Sequence, residues 1–146
     1  DEVYDADEIL SLTDVCDAYV SLHRSEGLGL TMAEAMLMGK PVIATNYSGN
    51  TDFMNESNSL LVPFELVKVG RQLPPYDADL VWAEPSAEHA AALMRRLVDE
   101  PEWAREVGAR AKASAEETLC VEAAAPKVAQ RLAEIRALRN RASGFQ

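Results

Sequence analysis

Short apolar runs alternate with longer mixed stretches through the first half of this chain. Ala18-Tyr19-Val20-Ser21-Leu22 is brief and carries aromatic and branched residues, which predicts a strand. Pro41-Val42-Ile43-Ala44-Thr45 is continuously apolar, as expected for a strand buried on both faces, and Leu60-Leu61-Val62 reads as a third. Between the first two lies a helix over about Leu30 to Met38, with Gly39 suited to stop it. Asn46 to Asn50 is a loop that leads into a brief helical turn near Thr51 to Met54. The acid-rich opening, Asp1 to Leu12, has only Ile9, Leu10 and Leu12 as an apolar cluster and predicts a short helix or an adaptable leader. Strands separated by helices predict an α/β fold, a Rossmann-like parallel sheet with right-handed crossovers flanked by helices.

The pattern breaks from Phe64 to Asp79, where Gly70 and Pro74-Pro75 interrupt it. Val67-Lys68-Val69 suits a small hairpin arm, and Leu80-Val81-Trp82-Ala83 a short strand returning to the body. A helical tail over about residues 86–140 follows, in three pieces: Ser86 to Asp99, Pro101 to Thr118, and Val121 to Arg139. Ser86 is a plausible N-cap and Pro101 fits a first helical position. The last piece repeats Val128, Leu132, Ile135 and Leu138 at helical spacing and carries Lys127, Arg131, Arg136, Arg139 and Arg141. Residues 1–146 thus read as a single domain. Its few strands make a small sheet for this architecture, so a partial domain with further strands before residue 1 is expected.

Composition narrows the function classes. With 48% hydrophobic residues the chain can bury a core. Its formal charge of -10 argues against a nucleic-acid partner and against broad docking on an anionic membrane. No apolar run approaches the ~20 residues that span a bilayer. The N-terminus lacks the basic start of a signal peptide. Cys16 and Cys120 are far apart, which fits reduced thiols in a cytoplasmic protein.

The chemistry concentrates in Ser25-Glu26-Gly27-Leu28-Gly29-Leu30-Thr31-Met32-Ala33-Glu34-Ala35-Met36. A glycine-rich turn opens a helix there, and unpaired N–H groups at a helix start attract anions. Gly27 and Gly29 let a ligand approach that backbone. Glu34 sits among Leu30, Ala33, Ala35, Met36, Leu37 and Met38, so neither side of its helix looks solvent-facing. A carboxylate in such surroundings needs a partner. A phosphate-bearing ligand whose hydroxyls satisfy the acids is the expectation. The dinucleotide fingerprint does not fit, because Met32 stands at its third glycine and Asn46 where an acid would end the next strand.

Glu26 and Glu34 are separated by seven residues. Here the chain resembles the E-x7-E motif of retaining glycosyltransferases of the two-Rossmann-domain (GT-B) type, the family-4 or group 1 class. The resemblance runs through His23-Arg24-Ser25-Glu26-Gly27-Leu28-Gly29-Leu30 and Ala33-Glu34-Ala35-Met36, and on through Gly39-Lys40-Pro41-Val42-Ile43-Ala44-Thr45, Ser48-Gly49-Asn50 and Asn58-Ser59-Leu60-Leu61-Val62-Pro63. It implies the carboxyl-terminal half of a GT-B fold. It also implies transfer of a hexose from a nucleotide-diphosphate sugar to a glycan or lipid-linked acceptor, in polysaccharide biosynthesis.

On the same ground, Glu26 is the catalytic candidate, facing the donor sugar near the reacting carbon. The backbone of Gly27, Leu28, Gly29, Leu30 and Thr31 would meet donor phosphates or sugar hydroxyls, and Glu34 the ribose hydroxyls. His23, Arg24, Gly49 and Asn50 are secondary candidates. His23 is open to orienting donor or acceptor, or to a structural hydrogen bond. Arg24 is open to pairing with Glu26, touching phosphate, or forming a surface ion pair. Asn50 and Asp52 stand near the Pro-Glu pair of many relatives, a departure in that loop. Lys68 and Arg71 read as exposed, and Trp82 and Trp103 as packing residues.

No metal site and no cofactor is implied. The Arg and Lys that neutralise the diphosphate in relatives have no match here, nor has the acceptor-binding amino-terminal domain. The isolated chain is therefore expected to be inactive without its upstream part. The resemblance allows a cytoplasmic protein, or one held peripherally at the inner membrane face in its full-length form. Two other classes stay open: a non-catalytic nucleotide-sugar-binding or interaction module, and a sugar-nucleotide epimerase of the same fold.

Overall fold

The computed structural model describes residues 4–143. Chain order is α1 (Ala6–Asp14), β1 (Tyr19–Ser21), α2 (Leu30–Leu37), β2 (Val42–Thr45), a 3-10 turn (Gly49–Asp52), β3 (Leu60–Val62), β4 (Phe64–Lys68), β5 (Val81–Pro85), α3 (Ala87–Asp99), α4 (Pro101–Leu119) and α5 (Val121–Ser143). The opening helix starts at a capping box, in which the Asp5 carboxylate accepts from the Glu8 N–H and Glu8 accepts from the Asp5 N–H. The first three residues of the expected leader lie outside the described residues.

The sheet is parallel, in the order β1-β2-β3. Every residue of β2 is buried, as its unbroken apolar run requires of a central strand covered on both faces. Strand pleating divides those residues between two layers. Val42 and Ala44 join Met32, Ala35, Met36, Phe53, Met54, Ala111 and Ala115 beneath α2 and α4. Ile43 packs with Val62 and with Ala90, Leu93 and Leu97 of α3. Helices therefore sandwich the sheet, and fully burying a residue such as Val42 or Ile43 contributes about 1.5–3 kcal/mol. One buried group is unmatched: the Thr45 hydroxyl has no hydrogen-bond partner among the described residues.

Small residues let α4 approach α2. Gly39 leaves α2 at φ +75°, and a Cβ on Gly108 would fall 2.1 Å from the Gly39 carbonyl oxygen. Gly108, Ala111 and Ala115 form the buried stripe of α4. Ser86 caps α3 by accepting from the His89 N–H, and Pro101 opens α4, as their residue types predict.

Two regions differ from the sequence pattern. Residues 81–85 do not return to the parallel sheet; they pair antiparallel with β4, from Phe64 opposite Pro85 to Lys68 opposite Val81. The punctuated stretch is thus the far end of one long hairpin, closed near its tip by a Leu73–Tyr76 bridge. In α5, the repeating Val128, Leu132, Ile135 and Leu138 are all exposed, and no layer among the described residues covers that stripe.

Gly108→Ala should lower stability by about 1–3 kcal/mol in urea unfolding, since overpacking against a carbonyl outweighs the helical preference for alanine. An unchanged midpoint would show that α4 does not seat on Gly39.

Candidate functional site

The loops leaving the carboxyl ends of β1 and β2 meet there, the position at which parallel α/β sheets bind ligands. Backbone contact joins them. The Ser48 hydroxyl donates to the Glu26 carbonyl at 2.6 Å and accepts from the Glu26 N–H at 3.3 Å. The Gly49 N–H also donates to the Glu26 carbonyl, at 3.3 Å. A Cβ on Gly49 would lie 2.0 Å from the Gly27 oxygen, so only glycine lets these two turns touch. Gly49 is therefore a spacer for the glycine turn. Ser48 takes an unusual positive φ of 78° to present both the hydroxyl and the next N–H to Glu26.

His23 and Asn50 form the floor of this junction. The Asn50 amide is fully buried and donates to the Thr45 carbonyl at 3.0 Å, leaving its oxygen to accept from His23 Nε2 at 3.2 Å. The Tyr47 carbonyl also accepts from His23 Nε2, at 2.9 Å. Both partners are acceptors, so Nε2 bears the proton. In the neutral ring, Nδ1 then accepts from the Ser21 hydroxyl at 3.1 Å. Of the two roles open to His23, the structure shows the hydrogen-bonded one: both ring nitrogens are engaged by the protein.

The glycine turn is exposed at Gly27 and Leu28, whereas Gly29, also expected to let a ligand approach, is buried against Met32 and Asn50. Gly29 is the N-cap of α2 at φ +92°, and no side chain caps the helix. The first-turn N–H groups of Leu30, Thr31 and Met32 thus lack the intrahelical partners that later residues have. The space beside Gly27 is open, with nothing within 4 Å of a Cβ built there. Leu28 and Leu30 are exposed, and the Thr31 hydroxyl accepts from the Tyr19 hydroxyl at 2.9 Å. Glu26 is half-buried and folds back, its carboxylate accepting from the Gly27 N–H at 2.9 Å.

Glu34 departs from its apolar surroundings in sequence, because it is exposed. The helix is apolar on more than its packing side: Met32, Ala35 and Met36 face the core, while Leu30, Glu34 and Leu37 fall on the outer face. Its carboxylate therefore needs no internal partner and is free to meet a ligand.

Arg24 is held away from Glu26. Its guanidinium forms a bidentate pair with Glu84, Nε to Oε2 at 2.7 Å and Nη2 to Oε1 at 2.9 Å. It also lies 4.6 Å from the Trp82 ring centre, and the Ala83 N–H donates to the Arg24 carbonyl at 3.0 Å. Of the roles open to it, Arg24 takes the surface ion pair, and thereby ties β5 to the glycine loop. Sequence reasoning misses Ser48, Trp82 and Glu84 as residues of this site. Trp82 and Glu84 share one face of β5 by the two-residue period of a strand, a readable signal; their partner Arg24, 60 residues before Glu84 in the chain, is not.

A cavity of about 560 Å³ opens between this loop and the hairpin. A larger one, about 720 Å³, lies among Cys16, Asp17, Gly39 and Pro41 at the opposite, amino ends of the strands, away from the glycine turn. Position rather than size decides between them, and the first adjoins the site.

Residues 3–114 match the family of glycosyl transferases, group 1. The chain belongs to that family. Among solved structures, this group 1 chain resembles a sucrose-phosphate synthase from Thermosynechococcus elongatus (26% identity, TM-score 0.64, 90% of this chain and 28% of that one). It also resembles HepE from Anabaena in complex with UDP-glucose (20% identity, TM-score 0.64, 84% and 29%). A complex of the same protein with UDP and glucose is similar at a TM-score of 0.63, with 20% identity and 84% and 29% coverage. The chain spans less than a third of the length of these structures. A search of curated proteins gave no match. The α/β fold is that of GT-B glycosyltransferases. No helix among the described residues is long and apolar enough to cross a membrane.

Asn50→Ala should cost about 2–3 kcal/mol in chemical denaturation, since it strands the buried Thr45 carbonyl and removes one His23 acceptor. Glu84→Ala should cost under about 1 kcal/mol, because that pair is nearly half exposed. A larger loss for Glu84→Ala than for Asn50→Ala would reverse this order of importance.

Proposed function

We propose that this group 1 chain is the donor-binding portion of a retaining hexosyltransferase, acting on a nucleotide-diphosphate sugar and a glycan or lipid-linked acceptor. One observation carries the reading: an uncapped helix start behind an open glycine turn, with Glu26 beside the turn and Glu34 exposed on the same helix. The similar HepE structures, described as complexes with UDP-glucose and with UDP and glucose, support it.

In this reading the donor diphosphate lies at the N–H groups of Gly27 to Met32. They gain most as the bond between the anomeric carbon and the phosphate oxygen breaks and charge collects on the departing diphosphate. Dipoles already aimed at that charge need no reorganisation; removing one such donor in comparable sites costs on the order of 10²–10³ in rate. Glu34 accepts two hydrogen bonds from the vicinal ribose hydroxyls, which a single carboxylate can do. Glu26 turns toward the sugar from its seat on the Gly27 N–H and stabilises positive charge at the anomeric carbon. The acceptor hydroxyl oxygen bonds to that carbon on the face the diphosphate leaves, and its proton goes to the departing phosphate oxygen. Backbone dipoles meet the charge, so the reading calls for no metal or cofactor.

Titration calorimetry with UDP, GDP, dTDP and ADP should find one nucleotide bound selectively. Glu34→Ala should weaken it by about 10-fold or more, the loss of hydrogen bonds to a charged acceptor. Equal affinity in the variant removes Glu34 from the donor site. In the full-length parent, Glu26→Gln should reduce kcat far more than nucleotide affinity. Full turnover there removes Glu26 from the chemistry.

A further inference from the structure

The cavity beside the glycine loop has two unlike walls. On one side stand His23, Arg24 and Ser25, which lead directly into Glu26; on the other stand Tyr76, Leu80, Val81 and Trp82 of the hairpin. Tyr76, Leu80 and Val81 are each about half exposed (46%, 49% and 51%), and Leu22 adds a fourth open apolar side chain. These side chains gather around one opening rather than scatter singly over the surface. A volume near 560 Å³ falls within the range of small-molecule sites.

The polar groups narrow the occupant. Arg24 is already neutralised by Glu84 through two hydrogen bonds, so the cavity offers no spare cation for a phosphate or carboxylate. The Ser25 and Tyr76 hydroxyls have no hydrogen-bond partner among the described residues. Tyr76 and Trp82 meet edge to face, with ring centres 6.2 Å apart, and present a rigid aromatic corner. A neutral ligand with an apolar face and a rim of hydroxyls fits these walls, whereas a hydrocarbon chain would leave the polar side unsatisfied.

We propose that this pocket holds a sugar ring of the acceptor, so that the hairpin contributes acceptor recognition from the same half of the molecule that binds the donor. The inference rests on the donor reading above, because an occupant here adjoins Glu26 through Arg24 and Ser25. A pyranose would set its C–H face against Tyr76, Leu80 and Val81 and turn its hydroxyls to Ser25 and the Tyr76 hydroxyl.

Trp82 and Trp103 are the two tryptophans of the chain, so Trp103→Phe leaves Trp82 as the sole indole reporter. That variant is titrated with the methyl glycosides of glucose, galactose, mannose and N-acetylglucosamine, and separately by calorimetry with the four nucleotides. The expected result is a saturable change in Trp82 emission for at least one glycoside. Adding Tyr76→Ala should weaken it 10-fold or more, Tyr76→Phe should weaken it by a smaller factor through the lost hydroxyl, and nucleotide affinity should stay unchanged in both. Silence toward every glycoside, or a response indifferent to Tyr76→Ala, overturns the pocket whatever the nucleotides do. Silence toward every nucleotide, both in this chain and in the full-length parent, overturns the donor reading separately, and with it the acceptor role assigned to the pocket. Tyr76 is half exposed, so its removal does not threaten the core.

Discussion

The carboxyl end of the sheet is organised around a place where no side chain fits. Gly49 lies against the backbone of Gly27 and Leu28 so closely that even a methyl group would overlap the Gly27 carbonyl. Because the two turns touch, Ser48 can reach both backbone groups of Glu26, and Asn50 can sit beneath with its amide shared between Thr45 and His23. The shape of the glycine turn is thus set from behind, by hydrogen bonds to groups that face the protein. The N–H groups of Leu30, Thr31 and Met32 at the start of α2 are left without intrahelical partners, and that asymmetry is what makes the helix start a site rather than merely an end.

The same logic extends to the hairpin. Its base is fixed at the Ala83–Arg24 and Ser86–Pro63 backbone bonds, and at the tilted stacking of Tyr47 on Phe64. Arg24 then engages Glu84 and Trp82 from a loop whose next residues are Ser25 and Glu26. Exposed ion pairs contribute little to stability, but a bidentate pair fixes direction, and here it fixes the hairpin against the loop.

The strands are legible because each is a short, bounded apolar run. The predicted cores of β1, β2 and β3 match the observed strands to within a residue or so at each end. Caps at Ser86 and Pro101 are equally plain, since both act through local backbone groups. Facing is harder. Leu30 and Leu37 make the helix around Glu34 look buried on all sides, yet an apolar composition does not say which side packs when nearly every side is apolar. The role of Arg24 stays open in the sequence, because its partner comes from a strand 60 residues later that only the hairpin brings back. The stripe on α5 has the right period and no layer among the described residues to pack on.

The hairpin is held at its base while residues 69–80 project beyond the paired strands, closed on themselves by Val69–Leu80, Gly70–Ala78 and Leu73–Tyr76 backbone bonds. Substitutions, or changes of length, in that tip need not disturb the hydrogen bonds behind the glycine turn. The fold therefore separates a part that must be kept from a part that can change with what it recognises. Such a division would let one scaffold diversify in its choice of ligand through the tip alone, with the machinery at its root passed on intact.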